Sequence, residues 1–342
     1  MKRAGYLNVI AMAAAAVLAA TPWSAASAQQ KNASMMLDWV IQGTHAPFFV
    51  AKEKDYFKQA GLNVTIDPGK GATNVAVSVA GGVYNFGWVD MPSMIRFNAQ
   101  NPSSPLIAVF ISFDDSPLAI ITRKSKNLRK PSDLNGARIA GGPGTAVHDT
   151  ISILLKAAHA ENVKINWLPV QPQLFGPMVA RDEADGTAGF TNSNIPALLD
   201  VGLKLDEIYA IKYSDFGANL YGPALVTTKK FADEHPDIVK AMVKGLVRGT
   251  IDTIKDPAGA LKLMKARDPM MKDYVEKVRL DIALGLTYTP WVKEHGLSVV
   301  QPARLKQTID SVVDAYKLPN TPKPEEVYTE KFLPPLAERM VK

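Results

Sequence analysis

From residue 34 onward, short apolar runs alternate with longer amphipathic stretches, as strands alternate with helices in an α/β protein. Ser34–Asp38, Asn63–Asp67, Asn85–Val89, Leu106–Phe113 and Leu118–Thr122 read as strands of a first block. Between them, Pro47 suits the first turn of a helix running to about Ala60, where Gly61 closes it. Phe49, Val50, Tyr56, Phe57 and Ala60 share one wide stripe of that helix, and Phe48 falls off it. Thr73–Ala80 and Pro92–Asn98 read as further helices.

A second block opens near Arg123, behind a basic stretch, Lys124–Lys130, and the helix-start signal Pro131-Ser132-Asp133. Ala137–Ala140, Asn166–Val170, Gly186–Phe190 and Ile208–Tyr213 read as its strands. Thr145–Ala160 reads as a helix with Ile151, Leu154, Leu155 and Ala158 on one face. After a strand at Leu225–Thr228 the chain turns mostly helical, with Val239, Met242, Val243 and Leu246 forming a stripe. Two α/β blocks followed by helices predict two lobes, 29–122 with 222–342 and 123–221. Strands near Leu118–Thr122 and Leu225–Thr228 would make the crossings. A single doubly wound domain is the alternative.

The first 28 residues have a different hydropathy. Lys2 and Arg3 precede an apolar run across Val9–Ala20, and Ala26-Ser27-Ala28 offers small residues for cleavage before Gln29. The run is short and rich in alanine for a membrane span. Residues 1–28 are therefore expected to be a secretory signal peptide, and the mature protein to be periplasmic with no direct membrane anchor. Removing Lys2 and Arg3 lowers the formal charge from +6 to +4, an excess without blocks of like charge. That pattern fits solvated surface, and no nucleic-acid partner is expected. The chain has no cysteine, which excludes disulfides, thiolate metal sites and thiol nucleophiles.

In open α/β sheets ligands bind beyond the carboxyl ends of strands, where helix N-termini point. Those ends nominate Asp38, Trp39 and His45 after the first strand, and Asp90 after Asn85–Val89. In the second block they nominate Gly144 and Thr145, and Asn192 within Thr191-Asn192-Ser193-Asn194. Trp39 either stacks on a ligand or belongs to the core. Phe48, off the apolar stripe, points to the cleft. His45 reads as a helix-start hydrogen bonder or a ligand contact, Thr145 as an N-cap that could also receive a polar edge. Thr191–Ser193 could be only a turn.

No catalytic constellation stands out. There is no Gly-x-Ser-x-Gly elbow, and Gly141–Gly144 lacks the Lys-Ser/Thr ending of a phosphate loop. The histidines at 45, 148, 159, 235 and 295 show no metal-ligand spacing. Asp114-Asp115, next to Pro117, reads as a hinge feature. Binding without turnover, with no cofactor, is the expectation.

The run Leu37-Asp38-Trp39, His45-Ala46-Pro47-Phe48-Phe49-Val50-Ala51 through Tyr56-Phe57, then Ala60-Gly61-Leu62-Asn63-Val64, resembles a known family. Phe86-Gly87 with Asp90, and Leu134-Asn135-Gly136-Ala137-Arg138-Ile139, extend the resemblance over most of Ser34–Lys255. It is to the thiamine-pyrimidine-synthase-like branch of substrate-binding proteins of nitrate/sulfonate/taurine-type ABC importers. The resemblance implies a two-lobed, type II periplasmic binding protein fold with the ligand between lobes joined by two crossing strands. It implies stacking near Trp39, polar contacts near Gly144-Thr145 and Asn192, and contacts from the crossing segment at Phe216, Asn219 and Tyr221. Two departures stand out. The cysteine-rich motif of the fungal pyrimidine-synthesising enzymes is absent. The second-lobe turn carries Thr191–Asn194 where pyrimidine binders often place a carboxylate.

The leading expectation is thus a receptor for a small heteroaromatic, pyrimidine-like compound, working with an ABC permease and a separate ATPase subunit. The alternatives are a receptor for a sulfonate or carboxylate held at Gly144-Thr145, and an exported enzyme on the same scaffold.

Overall fold

The computed structural model describes residues 30–342, so the expected signal peptide lies outside the described residues. The first lobe is built on a five-stranded sheet of order β2-β1-β3-β10-β4. These strands are β1 (Lys31–Met36), β2 (Leu62–Asp67), β3 (Phe86–Asp90), β4 (Leu106–Ile111) and β10 (Pro223–Thr228). The second lobe has the sheet β7-β6-β8-β5-β9, made of β5 (Leu118–Arg123), β6 (Arg138–Ala140), β7 (Asn166–Leu168), β8 (Gly186–Phe190) and β9 (Ile208–Lys212). The two sheets share one plan. Three strands run parallel, and one strand, entering from the other lobe, pairs antiparallel with two neighbours. β5 and β10 carry the chain across, and the crossings proper are the segments 112–117 and 213–222.

Edge strand β2 alternates buried Leu62, Val64 and Ile66 with exposed Asn63 and Thr65, whereas β4 is buried throughout. Both are edge strands of the sheet; β2 has one solvated face and needs period two, whereas β4 is covered on both faces and does not. In the first lobe, α1 (Ala46–Glu53), α2 (Tyr56–Gln59), α3 (Ala72–Ala80) and α4 (Met91–Gln100) follow the strands. The second lobe adds α5 (Ala146–Ala157), α6 (Phe175–Ala180) and α7 (Thr191–Asp200). Beyond β10 come α8 (Lys229–Glu234), α9 (Pro236–Lys255), α10 (Pro257–Arg267), α11 (Asp273–Thr287), α12 (Pro290–His295) and α13 (Pro302–Tyr316).

The single helix expected from Pro47 to Ala60 is two, because Asp55 takes a left-handed conformation (φ 57°) between α1 and α2. Thr191–Asn194 is the first turn of α7 rather than a free turn. The C-terminal helices touch both lobes: α11 packs on α7, and α13 on α4 and α5. Asp114 and Asp115 lie in the first crossing, where Arg304 of α13 pairs with both and Thr289 donates to Asp114. Among the described residues no helix is long and apolar enough to cross a membrane.

Candidate functional site

Five strand ends meet where the sheets face each other. Asp38 and Trp39 follow β1; the loop 68–71 follows β2; Thr145 follows β6; Phe175 opens α6 after β7; and Ser193 and Asn194 follow β8. Together they line a narrow, partly open cavity between the sheets. Trp39 of the first lobe and Phe175 of the second face each other across it, ring centroids 6.4 Å apart and planes 38° from parallel. Trp39 is half-buried and packs against the second lobe's core.

Asp38 supplies the charged group on the wall. Its Oδ1 lies 2.9 Å from His45 Nε2. The tautomer follows from the other ring nitrogen: the Gln42 backbone N–H donates to His45 Nδ1 at 3.2 Å, so Nε2 carries the proton and donates to Asp38. His45 is fully buried with its ring edge-on to Trp88, so it orients Asp38 from behind and does not line the cavity.

Asp90 is buried directly behind, as the N-cap of α4, and its Oδ2 accepts from the Ser93 N–H at 3.0 Å. Burial pushes its carboxyl up to about 7, with the charges of Asp38 and Asp149 adding to the rise. Its Oδ1 is buried without a hydrogen-bond partner. Thr145 occupies the N-cap position of α5 but does not cap it: its hydroxyl donates to the Gly142 carbonyl at 2.8 Å. The N-terminus of α5 is served by a carboxylate of the same helix, since the Gly144 N–H donates to Asp149 Oδ1 at 3.2 Å.

Two sets of interlobe contacts flank the cavity. On one side Thr73 Oγ1 donates to Asp149 Oδ2 at 2.8 Å, and a Cβ on Gly71 would stand 2.5 Å from the Gly144 carbonyl. Gly71 also has φ +115°, so glycine is required there twice over. On the other side Gln42 Nε2 donates to Ser193 Oγ at 2.6 Å, and Asn192 Nδ2 to Thr44 Oγ1 at 2.9 Å. Arg279 of α11 donates to Gln42 Oε1 at 2.7 Å and to the carbonyls of Asn192 and Ser193.

Several expected contacts lie elsewhere. Phe48 is a core residue at 2% exposure, packed edge-on against Trp88, because α1 is covered on two sides and its apolar surface is wider than one stripe. Asn192 is fully buried in the interlobe contact, outside the cavity lining. Phe216, Asn219 and Tyr221 sit on the second crossing segment against α13. Asn219 is exposed, and the Tyr221 hydroxyl accepts from the Gln301 N–H at 2.7 Å while Arg304 lies over its ring. Phe175, Gly71, Asp149 and Arg279 escaped the sequence reading. The first two sit at the ends of β7 and β2, where the strand-end rule applies equally well. Asp149 lies in the first turn of α5, where an acidic residue reads as an ordinary helix-start feature, and Arg279 lies far along the chain with no local signal.

Residues 42–260, more than half of the chain, match the NMT1/THI5-like family. The chain belongs to that family. This NMT1/THI5-like protein is 24% identical over 269 residues to the formylaminopyrimidine-binding protein of Halalkalibacterium halodurans, covering 76% of this chain and 79% of that one. It is 21% identical over 257 residues to the 4-amino-5-hydroxymethyl-2-methylpyrimidine phosphate synthase of Legionella pneumophila, covering 72% and 77% respectively. Among solved structures it is similar to the alkanesulfonate-binding protein SsuA of Xanthomonas axonopodis pv. citri bound to MOPS. The TM-score there is 0.65 at 16% identity, with 87% of this chain and 98% of that chain covered. That likeness is one of fold: the architecture is that of the periplasmic binding proteins.

Proposed function

We propose that this protein is a periplasmic solute receptor that closes over a small, flat, uncharged heteroaromatic compound of the aminopyrimidine type. It then delivers the compound to the permease of an ABC importer. The observation that carries the reading is the pair Trp39 and Phe175 facing each other across the cavity, with the Asp38 carboxylate on the same wall. A planar ring held between two aromatic faces needs about 7 Å between them, two van der Waals layers. The two rings now contact each other, tilted by 38° with centroids 6.4 Å apart, so the lobes open and the rings level to admit one. Asp38 is then placed to accept from an exocyclic amino group. The relative named as a formylaminopyrimidine-binding protein supports the same chemistry.

The anion reading is weaker on this geometry. Among the described residues that line the cavity there is no lysine or arginine. The Gly144 N–H, just before α5, already donates to Asp149, whose carboxylate sits at that helix start. An anion would displace that contact beside two buried carboxylates. The reading is also of binding without turnover. The hydroxyls on the cavity wall are committed, Thr145 to the Gly142 carbonyl and Ser193 to Gln42, and no base lies in hydrogen-bond contact with either. Two lobes remain the working division, with the first boundary moved from residue 122 into 112–117 because all of β5 pairs in the second sheet. The absence of a phosphate loop assigns ATP hydrolysis to another subunit.

Mass spectrometry of small molecules released by denaturing the purified protein tests the reading. A stoichiometric amino-substituted heteroaromatic, recovered unchanged after long incubation, is expected. Release of a sulfonate would overturn the ligand class, and recovery of a chemically altered compound would overturn the receptor.

A further inference from the structure

We propose that Arg279 is the positioning residue that holds the two lobes together over the cavity, and that Pro196 creates its acceptor. Helix α7, Thr191–Asp200, has a proline at its sixth position. Proline has no N–H, so the carbonyl four residues earlier, that of Asn192, lacks its helical donor. Asn192 is fully buried, where water cannot take the donor's place. The donor arrives from the other side of the cleft. Arg279 Nη1 lies 3.3 Å from the Asn192 carbonyl and 3.0 Å from that of Ser193.

Arg279 belongs to the first lobe through its helix. Leu280 and Ala283 of α11 are part of the core around the first sheet. The guanidinium is 7% exposed, and burial lowers its pKa, a cost that only well-made hydrogen bonds offset. Two of its acceptors come from the first lobe: Gln42 Oε1 at 2.7 Å and Glu276 Oε1, which takes the Nε–H at 3.2 Å. The other two are the α7 carbonyls. Separating the lobes strips a buried cation of two of these four acceptors and leaves the Asn192 carbonyl without a donor. The same motion breaks Gln42–Ser193 and Asn192–Thr44, which Arg279 braces from behind. A proline that would ordinarily only weaken a helix is thereby part of the contact between lobes.

The link to affinity rests on the receptor reading, because apparent affinity falls with the fraction of molecules in the competent, closed arrangement. The latch itself can be tested without any ligand. The chain has no cysteine, so Val77→Cys in α3 and Leu205→Cys beyond α7, both exposed positions on different lobes, accept spin labels cleanly. Pulsed electron resonance would give the interlobe distance distribution in this background and after adding Arg279→Met or Pro196→Ala. In a background that samples both closed and open arrangements, Arg279→Met should deplete the short-distance population. Pro196→Ala, which gives the Asn192 carbonyl a competing helical donor, should move a smaller part without lowering the thermal midpoint. A distribution unchanged by Arg279→Met would overturn the latch; one unchanged by Pro196→Ala would overturn the part given to the proline. Should Arg279→Met fail to fold, Arg279→Lys, which keeps the charge but cannot fork to both α7 carbonyls, takes its place, with the same expected shift and the same overturning result. Because each protein is unfolded, stripped of ligand and refolded before labelling, either outcome is independent of what the cavity binds.

Discussion

Trp39 and Phe175 stand on opposite lobes, so each should contribute to binding while contributing little to the stability of either core. Trp39→Ala is expected to weaken binding of an aminopyrimidine by about 1–3 kcal/mol, the range for lost stacking and burial. Its effect on unfolding should stay well below the ~3–5 kcal/mol of a core tryptophan truncation. Trp88, fully buried among His45, Phe48 and Phe113, provides the internal comparison. Calorimetric titration and urea unfolding on the same three proteins separate the two effects. Equal stability losses at Trp39 and Trp88 would move Trp39 into the core. Asp90 makes a separate prediction. Its folded carboxyl titrates at about 7, above the ordinary 3.8, chiefly because it is buried. The native state therefore favours the protonated form. That contribution is complete below about pH 4 and is lost as the pH rises through about 7. Asparagine also caps helices, so Asp90→Asn keeps the Ser93 contact and removes the titration. Thermal midpoints between about pH 5 and pH 8 should fall with rising pH in the wild type relative to the variant. Parallel curves would contradict the burial argument. Asp185, held at about 2 by its hydrogen bonds with Arg138, titrates below that window and does not confound it.

At the scale of elements, the contact between α1 and α9 sets the position of the first-lobe wall, since α1 follows directly on His45. Gly249 of α9 faces the Pro47 carbonyl so closely that an added Cβ would stand 2.2 Å from it. Gly249→Ala should therefore destabilise the protein by about 1–3 kcal/mol despite alanine's better helix propensity, read as a lower urea midpoint at unchanged slope. A stabilised variant would show that the helices do not sit this close. The same contact shows where sequence patterning was blind. Strands β1 to β10 were legible because covered strands read as apolar runs and the half-solvated β2 alternates. The first turn of α7 was not, because Thr, Asn, Ser and Pro are turn-forming residues and only the tertiary contacts of that turn make it helical. Phe48 misled for a related reason: a stripe argument assumes one buried face, and α1 has two. Asp38, Trp39 and Thr145 could be placed at the cavity because strand ends in α/β sheets converge by topology. Phe216 and Asn219 could not be excluded, because which face of a crossing segment meets the cleft depends on α13, which packs there from far along the chain.

Across the whole molecule, two sheets of the same plan meet at their strand ends, and two crossings with flanking hydrogen bonds allow one lobe to swing against the other. Small-angle scattering on ligand-stripped protein should show a smaller radius of gyration when an aminopyrimidine is added, and no change in Arg279→Met at the same ligand concentration. An identical radius with and without saturating ligand would argue for one rigid body. The central claim, that the cavity receives a flat uncharged N–H donor between two aromatic rings, is tested most directly by calorimetry. Protein unfolded, stripped of ligand and refolded would be titrated with 4-aminopyrimidine and, separately, with methanesulfonate. The account predicts saturable one-to-one binding of the aminopyrimidine, about tenfold or more weaker in Trp39→Ala, and no heat of binding with the sulfonate. Saturable binding of methanesulfonate with none of 4-aminopyrimidine would contradict it.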